Sequence, residues 1–320
     1  MPAELIAKYD TRIPRYTSYP TAPHFHAGIT PSSFREWLAA MPQEQELSLY
    51  LHVPYCEVIC WFCGCHTRGA NNYAPVASYL ETLRREVRLV AEALGSEPRP
   101  VRHLHFGGGS PSILTGDDFA RLMDDLRGAF RFRDDAEIAI ELDPRTTRPD
   151  LVAAMEKAGV TRASFGVQDL TPAVQKAIHR IQPYSVVERA IGAVREVGID
   201  RINVDLMYGL PYQTVDNVRD TVEKILRLSP DRLAVFGYAH VPWMRKHQNL
   251  IPEAALPDAS ERWDQAQAAR KMLTGGGYVE IGFDHYAHPD DDLALALADG
   301  TLNRNFQGYT ADTATALIGM

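Results

Sequence analysis

All four cysteines of this 320-residue chain lie within ten residues, between Cys56 and Cys65. Their spacing is C-x-x-x-C-x-x-C-x-C, and it begins just after an apolar run, Leu47–Val53, that is typical of a β-strand. Structural thiols would be scattered along the chain, and disulfides are rare in reducing compartments. Thiolates crowded into one loop indicate a compact metal centre, and soft sulfur ligands select iron–sulfur clusters, zinc or copper(I).

The cysteine spacing distinguishes only partly between an iron–sulfur cluster, zinc and copper(I). Structural zinc sites usually take their ligands as two pairs with a long gap between them, and that gap is missing here. A 4Fe–4S cluster takes four ligands, so three cysteines would leave one iron open. Zinc remains an alternative, and so does an unreactive core in which the thiols pack with Trp61 and Phe62.

Short apolar runs alternate with longer helical patterns along most of the chain. This alternation predicts six or seven β/α units and an α/β fold with a parallel sheet. Right-handed crossovers would place the carboxyl ends of the strands, and with them the cysteines, at one edge of the sheet. The predicted strands are Leu47–Val53, Val101–Phe106, Ala136–Leu142, Arg162–Gly166, Arg201–Leu206, Arg232–Tyr238 and Tyr278–Phe283. The predicted helices are Tyr79–Leu94, Asp117–Phe130, Pro149–Lys157, Val186–Val197, Thr214–Leu228 and Ser260–Leu273.

The composition is that of a globular protein without a nucleic-acid partner. Lys and Arg number 33 against 41 Asp and Glu, which gives a net charge of −8, whereas nucleic-acid binding needs a basic stripe. No apolar run reaches the roughly 18 residues of a membrane helix, and the N-terminus lacks the apolar stretch of a secretory signal. We therefore expect no membrane span and a cytoplasmic location.

The cysteine loop resembles that of the radical S-adenosylmethionine (radical SAM) superfamily, in which C-x-x-x-C-x-x-C directly follows the first β-strand. The resemblance implies that a 4Fe–4S cluster is held by Cys56, Cys60 and Cys63. The open iron of that cluster would bind the amino and carboxylate groups of S-adenosylmethionine. The resemblance also implies a radical SAM fold, a partial (β/α)6-type barrel with this loop on its carboxyl-terminal face.

Further motifs narrow the resemblance to the family of oxygen-independent coproporphyrinogen III oxidases. The resemblance implies oxidative decarboxylation of two propionates of coproporphyrinogen III to vinyl groups, giving protoporphyrinogen IX, by a 5′-deoxyadenosyl radical generated at the cluster. It also implies a porphyrinogen substrate and an unidentified electron donor and acceptor, and we expect a monomer. The motifs are Arg15–Ala22, Cys65, Phe106–Pro111, Glu141–Arg145, Gly166–Asp169, Asp205–Pro211, Tyr238–Pro242 and Arg304–Thr310.

The family pattern assigns one set of residues to the S-adenosylmethionine at the cluster. A glycine-rich segment at a strand end lets a ligand approach the backbone, and a carboxylate there accepts hydrogen bonds from ribose hydroxyls. Barrel-core packing explains the two aromatic members of the set almost as well, and the carboxylate could be a solvated strand end. The set is Tyr50, Phe62, Gly108, Gly109, Ser110 and Glu141.

A second set would surround a second molecule of S-adenosylmethionine. It consists of Gln168, Arg180, Asp205 and Ala239. The arginine is the informative member, because its planar fork pairs with carboxylates, although an exposed helix arginine is the ordinary alternative. Two more residues, Cys65 and Gln307, are candidate catalytic residues. Cationic side chains for the four substrate carboxylates could come from Lys8, Arg12, Arg15, Arg145, Arg245, Lys246 and Arg304.

Three regions are expected along the chain. Residues 1–45 would form an extended N-terminal segment, residues 46–285 the barrel, and residues 286–320 the start of a truncated C-terminal region. Members of the family continue into a largely helical C-terminal domain, so we expect this domain to be missing and the substrate cleft to lack its cover. A rival interpretation is a haem chaperone that shares the cluster and barrel without oxidase activity, but Cys65 and the Arg15–Ala22 motif favour the enzyme.

Overall fold

The structure is a computed structural model that describes residues 3–10 and 24–320; the Arg15–Ala22 motif lies outside them. The helices in the described residues are α1 Ala3–Tyr9, α2 Pro31–Ala40, α3 Ala74–Leu94, α4 Gly116–Ala129, α5 Pro149–Lys157, α6 Pro172–Ala177, α7 Tyr184–Glu196, α8 Val215–Leu226, α9 Ala259–Gly275 and α10 Asp292–Asp299. Short 3-10 turns add Pro111–Ile113, Lys246–Leu250 and Glu253–Ala255. The strands are β1 Leu47–Val53, β2 Tyr55–Cys56, β3 Arg68–Gly69, β4 Pro100–Gly108, β5 Arg131–Leu142, β6 Arg162–Gln168, β7 Arg201–Tyr208, β8 Arg232–Gly237, β9 Val279–Ile281, β10 His285–Ala287, β11 Asn303–Arg304, β12 Tyr309–Thr310 and β13 Ala316–Gly319.

Seven neighbouring strands of one sheet run parallel, which confirms the predicted parallel-sheet core. The sheet has the order β13-β1-β4-β5-β6-β7-β8-β10-β9. Pairing is parallel from β13 through β8, and the carboxyl ends of these strands therefore lie at one edge. Six of the predicted strands correspond to β1 and to β4 through β8, and helices connect them as predicted.

The last predicted strand does not continue this parallel series. β9 is only three residues long, and β10, which the sequence pattern did not predict, lies between β8 and β9 and runs antiparallel to both. The chain reverses at Gly282, whose φ of +61° suits glycine, so no crossover helix is needed. The expectation that this unit simply extends the parallel sheet is wrong.

The N-terminal segment is not extended throughout. Its described part holds α1 and α2, so the prediction of an extended segment over residues 1–45 is wrong there. α2 begins after Thr30, whose hydroxyl accepts a hydrogen bond from the Ser33 amide at 3.3 Å, and Pro31 occupies its first turn. A threonine N-cap followed by proline is an ordinary helix start, and the proline content of the segment masked it.

Residues beyond 285 take part in the same sheet. The boundary predicted after residue 285 falls inside β10, and β13 pairs in parallel with β1 at the opposite edge. The C-terminal residue is bonded there as well, since the Met320 amide donates to the Tyr50 carbonyl at 2.9 Å and the His52 amide donates to the Met320 carbonyl at 2.8 Å. Among the described residues, none of the helices combines the length and apolarity needed to span a membrane.

The strands have one apolar face and one polar face. On β1, Leu49 and Leu51 are buried in the main core, whereas Tyr50 and His52 face the other way and are half-buried. The same alternation places polar side chains on one face of β4 through β8. Those at the amino ends of the strands form a charged cluster, and those at the carboxyl ends form the candidate site described below.

The charged cluster at the amino ends is built around Arg162, which is 2% exposed. Its guanidinium lies 3.1 Å from Glu137 and 3.5 Å from Asp291, and it donates to the Asn203 side chain at 3.0 Å. A second arginine, the partly buried Arg232, pairs with Asp291 at 2.7 Å. Every carboxylate in this cluster has a cationic neighbour, as buried charges require.

This cluster predicts a loss of stability in acid. Burial opposes ionisation of Glu137, but Arg162, Arg232 and His103 outweigh it and lower the pKa of this carboxyl from 4.5 to about 2. A folded-state pKa below the unfolded value stabilises the fold above about pH 4.5, and the benefit is lost as the pH falls towards 2. Its size is at most about 3 kcal/mol. Urea unfolding of the cofactor-free chain across this range should show a steeper loss for wild type than for Glu137→Gln, and equal slopes would contradict the assignment.

Candidate active site

The four cysteines lie in the loop that follows β1, at the carboxyl edge of the sheet. Cys60 is buried, Cys56 and Cys63 are half-buried, and Cys65 is exposed. The Cys56 sulfur lies 3.3 Å from the Thr67 hydroxyl, and the Cys65 amide donates to the Cys63 sulfur at 3.3 Å. Burial raises the pKa of the Cys56 thiol to about 11, whereas hydrogen bonding from Cys65 lowers the pKa of the Cys63 thiol to about 6.

One cavity at this edge gathers most of the side chains predicted from the sequence. Its lining includes twelve of the fifteen predicted site residues, contributed by the cysteine loop, the ends of β4 through β7 and the segment after α6. They are Cys56, Cys60, Phe62, Cys63, Cys65, Gly108, Gly109, Ser110, Glu141, Gln168, Arg180 and Asp205. The structure thus brings these residues together, while their individual roles stay predictions.

The glycine-rich segment after β4 packs directly under the cysteine loop. The Gly109 amide donates to the Val53 carbonyl at 2.8 Å, and the Ser110 amide donates to the Tyr55 carbonyl at 2.9 Å. A side chain at Gly109 would collide with the Thr67 hydroxyl and would lie 2.8 Å from the Tyr55 carbonyl. Glycine is therefore required here by the close approach of two backbones.

Glu141 lies near the end of β5 and faces the cavity. Its carboxylate accepts a hydrogen bond from the Gly108 amide at 3.2 Å and lies 3.0 Å from His105 Nε2. Asp205, on β7, is a second cavity carboxylate; burial, reinforced by the charge of Glu141, raises its pKa to about 7. One acidic group is thus held as a hydrogen-bond acceptor, and burial shifts the other towards its neutral form.

Gln168 ends β6 in a strained backbone conformation. Its φ is +71°, which a residue with a side chain rarely adopts, and the register between β6 and β7 shifts between Gly166 and Gln168. Such strain persists only where surrounding contacts hold it, and it concentrates at ligand-binding sites. This observation supports a binding role for Gln168.

Two arginines and one aspartate converge on Cys60. Arg180, which is 7% exposed, donates to the Cys60 sulfur at 3.3 Å and to Asp143 at 3.1 Å. Arg145 donates to the same sulfur at 3.4 Å and forms a salt bridge with Asp143 at 2.6 Å. Burial opposes ionisation of Asp143, but the two guanidinium groups hold its pKa below the usual value. Positive charge is therefore held beside the Cys60 sulfur.

Three predicted residues do not line the cavity. Tyr50 lies below it on β1, where its ring meets Phe306 edge-on at 4.8 Å. Ala239 contributes a backbone carbonyl that accepts from Gln248 at 3.2 Å. Gln307 is exposed in the turn between β11 and β12, and its backbone amide donates to the Asn305 side chain at 2.9 Å. Phe306, in the same turn, contacts the Tyr50 ring.

The donor set fits an iron–sulfur cluster. Within residues 3–10 and 24–320, no group of three His, Cys, Asp or Glu side chains is arranged around the position of a single metal ion. A four-iron cluster binds each thiolate through a different iron, so its ligands lie around the cluster rather than around one point. Cys56, Cys60 and Cys63 surround one cavity in this way.

Asp143 is a member of the site that was not predicted. It directly follows the predicted strand Ala136–Leu142, and its place at the carboxyl edge of the sheet was therefore open to prediction. Arg145 is predicted only as a cation for the substrate. Thr67, which contacts the Cys56 sulfur, gave no signal at all, because its place depends on the path of the loop.

Comparison with known proteins first gives the class. Residues 50–225 match the Radical SAM superfamily. This is the class that the parallel sheet and the cysteine loop at its carboxyl edge define.

The relatives then give the family. The chain is 50% identical over 320 residues to the oxygen-independent coproporphyrinogen III oxidase of Bradyrhizobium diazoefficiens, covering 100% of this chain and 71% of that protein. It is 42% identical over 318 residues to the Synechocystis oxidase of the same name, covering 99% and 68%. The solved structure of coproporphyrinogen III oxidase (HemN) from Escherichia coli, a radical SAM enzyme, matches with a TM-score of 0.92 and 40% identity, covering 99% of this chain and 71% of that one. The chain belongs to the oxygen-independent coproporphyrinogen III oxidase family, whose radical SAM membership implies a 4Fe–4S cluster and S-adenosylmethionine.

Arg145, one of the two arginines that donate to the Cys60 sulfur, is expected to raise the reduction potential of the cluster. Hydrogen bonds to cluster sulfurs, together with local charge, set the reduction potential, and added positive charge favours the more negative reduced state. Arg145→Met should therefore shift the potential to more negative values, by about 60 mV if one tenfold factor in the redox equilibrium is lost. Arg145→Lys, which keeps the charge, should shift it less. Redox titration followed by electron paramagnetic resonance measures both, and unchanged potentials would refute the role.

Proposed function

We propose that this chain converts two propionate side chains of coproporphyrinogen III to vinyl groups by oxidative decarboxylation and so yields protoporphyrinogen IX. The observation that carries the proposal is the convergence of the cysteine loop, the glycine-rich segment and the polar strand ends on one cavity. The chain belongs to a family whose named members are oxidases, and it is 50% identical over 320 residues to one of them. Those names favour the oxidase over the haem chaperone.

Different residues of the cavity would bind different parts of the cofactor. When bound, the cluster and S-adenosylmethionine supply the electron transfer and the radical that removes hydrogen from the propionate. Glu141 presents acceptor oxygens to hydroxyl groups, and the backbone at Gly108 and Gly109 allows a ligand to approach closely. A second S-adenosylmethionine is supported by the position of Gln168 and Arg180 in the same lining.

The substrate carries four carboxylates, and the net charge of the chain is −8, so binding requires local positive charge. Arg145 and Arg180 line the cavity and both form ion pairs with Asp143. These three side chains together carry a net positive charge. A planar guanidinium suits bidentate binding of a propionate carboxylate. Among the other cationic candidates, Arg12 and Arg15 lie outside the described residues.

Contacts across the mouth of the site support a partial barrel. β1 and β8 lie five positions apart in the sheet, which would separate them by about 24 Å if the sheet were flat. Yet Gln248, which follows β8, donates to the carbonyl of Phe62 in the loop after β1 at 2.9 Å. A curved sheet would bring these two loops together, so the contact supports the partial barrel that we propose. The boundary at residue 45 stays a prediction, whereas the boundary predicted after residue 285 falls inside β10.

Anaerobic turnover tests the proposal. Reconstituted chain, dithionite, S-adenosylmethionine and coproporphyrinogen III should give the dicarboxylic porphyrin product, with 5′-deoxyadenosine formed in step. Omitting the reductant should stop both products and serves as the control. Stable haem binding by a cluster-loaded chain that forms no porphyrin product would favour the chaperone instead. The electron donor and acceptor, the monomeric state and the cytoplasmic location stay predictions.

A further inference from the structure

Backbone carbonyls of the cysteine loop are held by side chains from distant parts of the chain. The loop lacks regular structure between Glu57 and Cys65, so its polar backbone groups need other partners. The Phe62 carbonyl accepts from Gln248 Nε2 at 2.9 Å, and the Cys63 carbonyl lies 2.7 Å from His247 Nε2. Both partners come from the 3-10 turn after β8, which we call the latch turn, Lys246–Leu250.

Gln248 is placed so that its whole amide is used. The side chain is 1% exposed. Its nitrogen donates to the Phe62 carbonyl and, at 3.2 Å, to the Ala239 carbonyl, while its oxygen accepts from the Val241 amide at 2.6 Å. Exchanging the amide oxygen and nitrogen would face two carbonyls with an oxygen, so these partners fix its orientation. Gln248 therefore joins the cysteine loop to the end of β8.

The hydrogen bond between His247 and Cys63 has a defined donor and acceptor. A carbonyl oxygen only accepts, so the ring must carry its hydrogen on Nε2 and donate it to Cys63. The acceptor belongs to a residue whose thiol is a cluster ligand. The hydrogen bond from His247 therefore constrains the backbone of Cys63, and this backbone sets the orientation of the Cys63 thiol.

We propose that His247 and Gln248 are positioning residues that hold the cysteine loop in the conformation that accepts the cluster. They act through the Cys63 and Phe62 carbonyls and do not contact the cluster. Partners that orient metal ligands commonly change metal affinity when they are removed, by about 10- to 100-fold. The proposal rests on the cluster that family membership implies, and it holds whichever porphyrin the chain converts.

Cluster retention tests the latch turn directly. Reconstituted chain would be exposed to an iron chelator under anaerobic conditions while the loss of the visible absorption of the cluster is followed. His247→Ala and Gln248→Met should each lose the cluster about 10-fold faster than wild type. His247→Gln restores a donor at the position of Nε2 and should recover most of the retention. Asn249→Ala, which changes an exposed neighbour bonded only to its own turn at 2.8 Å, should match wild type.

A second measurement separates positioning from simple destabilisation. Thermal unfolding of each cofactor-free variant reports on the fold alone. Wild-type retention in both His247→Ala and Gln248→Met would overturn the proposal. So would faster loss in His247→Ala that His247→Gln does not rescue, or loss that merely parallels a lower unfolding temperature across all variants. Since porphyrin product is not measured, failure here is distinct from failure of the proposed activity.

Discussion

Serine in place of Cys56, Cys60 or Cys63 is expected to leave less than about a hundredth of wild-type porphyrin conversion. The loss should exceed the 10- to 100-fold effects typical of residues that only support a metal ligand. A hydroxyl is a hard, weakly acidic ligand, whereas iron–sulfur clusters select soft thiolates. Each substitution removes one of the three sulfurs that line the cavity. Iron and acid-labile sulfide per chain, measured after anaerobic reconstitution, should fall together with turnover.

Cys65→Ser provides the matched control for the thiol count. Cys65 is exposed, and although its amide donates to the Cys63 sulfur, that contact uses the backbone and survives the substitution. Cluster content should therefore stay near the wild-type value, whatever happens to turnover. A Cys65→Ser chain that fails to bind iron, alongside a Cys63→Ser chain that binds it normally, would reverse the ligand assignment.

The parallel core could be predicted because long helices and apolar strands leave clear periods in a sequence. β1 was predicted with its observed bounds, Leu47–Val53, and α5 with its bounds, Pro149–Lys157. Helix ends also carry local signals, since Gly159 and Gly198 follow α5 and α7 with φ values of +67° and +82°, which favour glycine. These patterns depend only on residues close in sequence, so they can be recognised without knowledge of the tertiary fold.

The edges of the sheet could not be predicted in the same way. β9 and β10 are three residues each, which is too short for an alternation of period two to stand out. β13 pairs with β1 although Ala316 and Leu47 are far apart in sequence. Such pairings are decided by which edge is left open once the core has formed. No local pattern in the strand itself encodes that choice.

The residues of the candidate site likewise differ in whether a local sequence pattern predicts them. Thiols, glycines and strand-end carboxylates were found because their spacing matches a family pattern, and the fold gathers them around one cavity. Gln248 was missed because a buried glutamine has no distinctive spacing, and its role depends on carbonyls in another loop. Tyr50 and Gln307 show the opposite case, because their motifs matched while the structure places them outside the lining.

Arg162→Met is expected to lower the free energy of unfolding of the cofactor-free chain by about 3 kcal/mol, the effect typical of removing one partner of a buried ion pair. Arg162 is 2% exposed and lies between Glu137 and Asp291. Arg232 still pairs with Asp291 and still acts on Glu137 through its charge, but Glu137 loses its buried ion-pair partner. Its remaining ion pairs are with Arg201 at 3.3 Å, which is half-exposed, and with His103 at 3.8 Å. A buried carboxylate is then poorly compensated. Urea unfolding at neutral pH measures the loss.

Arg133→Met is the matched surface control. Arg133 pairs with Asp135 at 2.7 Å and with Glu46, but it is 41% exposed, so water and salt screen both contacts. Exposed pairs contribute little to stability, so the control should lose much less than Arg162→Met. Adding Glu137→Gln to Arg162→Met removes the uncompensated charge and should recover part of the stability. If Arg162→Met and Arg133→Met were equally stable, or if the second substitution only added to the loss, the destabilisation would not arise from an unpaired buried carboxylate.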